Sequence, residues 1–101
     1  MKWMEIIRLQ SALGRELIAA SEIQVLVSEI EKKLEWPGLK VARALIHAAI
    51  PGSFALSLYW DTDSVQPGGS VVGIRLSQSL KTLGLVDHSV WIETYRNNGG
   101  I

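Results

Sequence analysis

Six segments follow one another in the order strand, helix, strand, strand, helix, strand, and the third strand, Phe54 to Trp60, carries apolar or aromatic side chains at both parities. That order constrains the fold more than any motif in the chain. Right-handed crossovers around a central hairpin put four strands into one antiparallel sheet with both helices on one of its faces. The opposite face then lacks a cover. At 101 residues the chain has room for one core, so a single domain over 1–101 is expected.

Trp3 to Gln10 has the length and apolar content of a strand, and Ser11-Ala12-Leu13-Gly14 reads as the turn after it. From Arg15 to Glu35 the spacing becomes helical: Ala20, Ile23, Leu26, Val27, Ile30 and Leu34 share one side, while Ser21, Gln24, Ser28, Glu31 and Lys32 share the other. Pro37-Gly38 ends that helix. Leu39 to Ala49 and Ser53 to Asp61 form a hairpin about Ile50-Pro51-Gly52. A polar loop, Thr62 to Gly69, leads to Ser70 as N-cap of a second helix with Val72, Leu76, Leu80 and Leu83 on one side, stopped by Gly84. Val86 to Tyr95 is the last strand, and 96–101 is expected to be a frayed, flexible tail. The fold expected is α+β, a ferredoxin-like βαββαβ arrangement that dimerises through the sheet face the helices leave open.

Strand parity divides the side chains between two faces. Met4, Ile6, Ala42, Ala44, Ile46, Phe54, Leu56, Leu58, Val90 and Ile92 are assigned to the helix side. Trp3, Glu5, Ile7, Leu9, Val41, Arg43, Leu45, His47, Ser57, Tyr59, Trp91, Glu93 and Tyr95 are assigned to the other. A contiguous apolar surface of that kind marks an interaction site, and a second copy of the chain closes it without remainder, so a homodimer is expected.

Composition narrows the partners. Ten basic and ten acidic residues cancel, which removes the broad positive field that draws nucleic acid or anionic lipid. Gly52-Ser53-Phe54-Ala55-Leu56 faintly echoes the third strand of RNA-recognition modules but lacks their leading basic residue and second stacking aromatic, so no nucleic acid partner is expected. There is no cysteine, hence no disulfide, thiolate ligand or cysteine nucleophile. Glu5 and Arg8 interrupt the first apolar run where an export signal needs continuity. Ala44 to Trp60, the longest uncharged stretch, is broken by Pro51-Gly52 and too short to span a membrane. A cytoplasmic protein without a membrane partner is expected.

Candidate pocket residues are Glu5, Arg43, His47, Tyr59, Trp91 and Glu93, whose carboxylates, guanidinium, imidazole and aromatic walls suit binding of a small aromatic acid or movement of a proton. The same groups suit a purely structural role, Arg43 pairing with Glu5 or Glu93 across strands or across a dimer seam. His88 reads as a boundary residue on the helix-facing parity, and opposite faces keep it from sharing an ion with His47. Asp61 and Asp63 are too few oxygens for a hard cation, and Gly68-Gly69-Ser70 lacks the lysine of a phosphate loop. No metal site and no cofactor are expected.

The strand and helix order over Met1 to Tyr95, the opening Met1-Lys2-Trp3-Met4, the Tyr59-Trp60-Asp61 end of the third strand and Val90-Trp91 resemble the dimeric α+β barrel superfamily. That group includes the antibiotic-biosynthesis-type and the haem-degrading monooxygenases. The resemblance implies two sheets packed face to face, with a small apolar pocket between sheet and helices or inside each half. Haem-degrading members use an asparagine on the first strand with a tryptophan and a histidine on the second helix. Here Glu5, Ile7 and Leu9 hold the inward positions, the only asparagines are Asn97 and Asn98, and Val71 to Leu83 contains neither tryptophan nor histidine. Haem chemistry is therefore not expected. Two functions follow: a small homodimeric module, structural or binding a small apolar or aromatic ligand, and, as the alternative, a cofactor-independent monooxygenase acting on a small aromatic or quinol-type substrate. In the second, Tyr59, His47 and Arg43 would orient the substrate while molecular oxygen oxidises it.

Overall fold

In the computed structural model, which describes residues 1–32 and 36–95, the chain runs β1 (Lys2–Ser11), α1 (Glu16–Lys32), β2 (Leu39–Ile46), β3 (Ser53–Asp61), α2 (Val71–Leu80) and β4 (Gly84–Ile92). The strands form one antiparallel sheet in the order β2-β3-β1-β4, a ferredoxin-like α+β fold. Both central strands are rich in buried aliphatic and aromatic residues, as a strand flanked by two neighbours and covered by helices requires. The expected end of α1, including Leu34 and Glu35, and the tail 96–101 lie outside the described residues.

Helix α1 lays Ala19, Ile23 and Ile30 into the core, with Ala20, Leu26 and Val27 packed at its margin, the stripe its helical spacing predicts. Helix α2 is capped by Ser70, whose backbone is extended and whose Oγ accepts the Gly73 N–H at 3.0 Å. It buries Val72, Leu76 and Leu80. Several boundaries differ from the sequence expectation, among them those of β4, which spans Gly84–Ile92 rather than Val86 to Tyr95. β2 stops at Ile46 rather than Ala49 because the His47 imidazole bends the chain: Nδ1 accepts the N–H groups of Ala49 and Ile50, each at 3.0 Å. α2 stops at Leu80, and Gly84 is not its terminator but the first residue of β4, paired with Ser11.

The register corrects the assignment of β1. Glu5 lies opposite Leu58, Ile7 opposite Leu56 and Leu9 opposite Phe54, so Trp3, Glu5, Ile7 and Leu9 face the helices. Met4 and Ile6 face the open side, level with Tyr59 and Ser57. Packing volume explains the choice: the odd positions carry Trp3, Ile7 and Leu9, whereas the even ones add Arg8 and Gln10, which remain exposed. The other three strands keep their assigned parity.

The open face therefore reads as rows across the sheet. Val41, Tyr59, Met4 and Trp91 form one; Arg43, Ser57, Ile6 and Ser89 form the next. Val41, Leu45, Tyr59 and Trp91 are exposed, Trp91 to 57%. An Arg8–Asp87 ion pair at 2.7 Å crosses from β1 to β4 farther along, where it sits in solvent. The face is thus more polar than expected, since the inversion of β1 exchanged Trp3, Ile7 and Leu9 for Met4, Ile6 and Arg8. Among the described residues no helix is long and apolar enough to cross a membrane.

Candidate functional site

Two places collect chemistry, one on each side of the sheet. On the helix side, Glu5 is wholly buried, and a carboxylate there demands donors on both oxygens. Oε1 accepts the Ser70 N–H at 2.7 Å and lies 2.9 Å from His88 Nε2. Oε2 accepts the Trp60 indole N–H at 2.9 Å and the Ser70 hydroxyl at 2.5 Å. The carboxylate also meets the positive end of α2. Gly73 makes that approach sterically feasible, because a Cβ at this position would overlap Glu5 Oε1.

Beside this cluster, at the end of the sheet, Trp3 and Trp60 stack at 5.4 Å with 14° between their planes. Trp3 Nε1 donates to Thr62 Oγ1 at 2.8 Å, and that hydroxyl donates to Ser64 O, which fixes the loop leading to α2. A cavity of about 260 Å³ opens here, lined by Trp3, Trp36, Trp60, Gln66 and Ser70. The Trp36 indole N–H is buried at this edge and has no partner among the described residues.

On the open side, a groove of about 730 Å³ follows the first row. Met4, Val41, Tyr59 and Trp91 make its apolar floor and walls, and Lys2, Lys40, Arg43, Asp61 and Glu93 supply charge. The Arg43 guanidinium lies 5.5 Å from the centre of the Tyr59 ring, within cation–π range. Trp91 Nε1 donates to Ser89 Oγ at 2.8 Å, which holds the indole over its own strand. Ser57 Oγ, across from Arg43, is buried without a partner among the described residues.

Of the six candidates read from the sequence, the structure brings Arg43, Tyr59, Trp91 and Glu93 to this groove. Glu5 is on the other side of the sheet, at the centre of the buried cluster. His47 is in the β2–β3 turn, its Nδ1 occupied by backbone N–H groups. His88 takes the helix-facing position expected, and its partner there is Glu5. Among the described residues no group of three or more histidine, aspartate and glutamate side chains could hold a metal ion. Sequence reading missed the lysines of the groove and the part played by Trp36. Lys2 shares the parity of Met4 and Ile6, so the inverted assignment of β1 hid it; Trp36, just before Pro37-Gly38, offered no signal.

No family profile and no curated protein matches the sequence. Solved structures do match in shape, and they define a class by fold. SnoaB from Streptomyces nogalater, a cofactor-independent oxygenase crystallised as a variant, superposes with TM-score 0.68 at 16% identity over 96% of this chain and 97% of that one. A protein from Pseudomonas aeruginosa gives 0.68 at 14% identity over 93% and 95%. An antibiotic biosynthesis monooxygenase gives 0.65 at 13% identity over 94% and 99%. The described residues thus have the fold seen in antibiotic biosynthesis monooxygenase structures.

Proposed function

We propose that this single-domain protein works as a homodimer that binds a small apolar or aromatic molecule at the open face of its sheet. The observation that carries this reading is the row Val41, Tyr59, Met4 and Trp91, apolar and uncovered by either helix, which floors a groove with Arg43 and Glu93 at its margin. A second copy laid on the same face shields the row and turns the groove into an enclosed site at the seam. Light scattering on the eluting protein across a hundredfold range of concentration tests the assembly. A dimer mass is expected, and a monomer mass throughout would overturn the reading.

A second reading, cofactor-independent monooxygenase, is favoured by the helix-side cavity, with its tryptophan walls and a Trp36 N–H that has no partner among the described residues, and by the likeness in fold to SnoaB. An activated methylene of a small aromatic or quinol-type substrate would become a carbonyl, one oxygen atom of molecular oxygen entering the product and the other leaving as water. Oxygen uptake with anthrone in the presence of a chelator tests it. Uptake no faster than in buffer alone would remove it.

A further inference from the structure

We infer that the open-face groove takes an aromatic carboxylate, with Arg43 as the group that selects the charge. The inference rests on the reading of this face as a ligand-binding seam and adds the chemical class of the ligand. Three cationic side chains, Lys2, Lys40 and Arg43, line the groove against two carboxylates, Asp61 and Glu93. Asp61 is already engaged, its Oδ1 3.3 Å from the Met1 amino group. Among the described residues Arg43 forms neither an ion pair nor a hydrogen bond; its contact is with the Tyr59 ring. A contact with a ring engages none of the guanidinium N–H groups with an acceptor atom, and those N–H groups match a carboxylate two bonds at a time.

The rest of the groove suits the ring such a ligand would bring. Tyr59 and Met4 lie in one row of the sheet with Trp91 at its end, so a flat aromatic body can rest on Met4 between the two aromatic side chains. Its carboxylate then reaches the next row, where Arg43 stands one β2 position pair beyond Val41.

Isothermal titration of the intact protein with benzoate, benzamide and cyclohexanecarboxylate tests the inference, with light scattering on the same samples. Benzoate is expected to bind at least 10-fold more tightly than benzamide, the factor a charge-assisted pair supplies. It is expected to bind more tightly than cyclohexanecarboxylate as well, because a saturated ring cannot stack. Arg43→Gln should erase the preference for the acid while leaving the dimer mass unchanged, and Arg43→Lys should restore part of it. Equal affinity for benzoate and benzamide, absence of benzoate binding, or unchanged preference in Arg43→Gln would each overturn it. If Arg43→Gln instead dissociates the dimer, Arg43 is a contact between copies and the inference fails while the assembly stands; a monomeric wild type removes the assembly on its own.

Discussion

Glu5 shows how much a single residue can mislead a parity reading. The strand Lys2 to Ser11 has apolar residues on both faces, so alternation alone does not choose between them, and a carboxylate looks like the mark of the wet side. Packing volume favours the odd positions inside, and burying Glu5 with them is tolerated because of partners distant in sequence: Trp60, Ser70 and His88 offer donors that Glu5 needs and that no local pattern announces. Glu5→Gln tests this account with almost no change of volume. Whichever way the amide turns, its NH₂ group faces a fixed donor, the Ser70 N–H on one side or the Trp60 indole N–H on the other. The variant should lose about 1–3 kcal/mol in urea unfolding. A loss below about 0.5 kcal/mol would mean that the four donors do not depend on a full carboxylate.

At the level of elements, the order and number of strands and helices were legible because each has a clear period, and β3 was legible at both ends because Pro51-Gly52 and Asp61 punctuate it. The ends of β2, α2 and β4 were not. Leu83 continues the spacing of Val72, Leu76 and Leu80, yet it is buried from a turn in which its N–H bonds Leu80 O at 2.9 Å, so a helical period persisted where the helix had ended. Gly84 then serves packing rather than termination. A Cβ there would overlap Gln10 O and stand 2.8 Å from Ser11 Cα, both backbone atoms of β1 that side-chain rotation cannot clear. Gly84→Ala should therefore push the start of β4 away from β1, at a cost of about 1–3 kcal/mol. Amide exchange should accelerate in Leu85 and Val86 before it does in β3. Unchanged protection in that segment would show that the two strands can separate there without strain.

For the whole molecule, the decisive asymmetry is that two helices cover one face of a four-stranded sheet, and it follows from topology before any side chain is considered. What the sequence left unread was how polar the other face is, since that depended on which way β1 turned. Trp91 remains the largest apolar group on it, more than half exposed, and is nevertheless oriented by its bond to Ser89. Trp91→Glu separates folding from assembly. In one subunit the new carboxylate would be hydrated and the core untouched, so far-ultraviolet circular dichroism and the unfolding midpoint of the subunit should change little. Between two copies the same carboxylate would be desolvated, beside its symmetry mate if the residue lies near the two-fold axis, at a cost of several kcal/mol. The variant is thus expected to elute as a folded monomer at micromolar concentration where the wild type elutes as a dimer. A folded dimer would place Trp91 at the rim of the contact or outside it, and would move the seam toward β2, where Val41 and Leu45 are the exposed apolar residues.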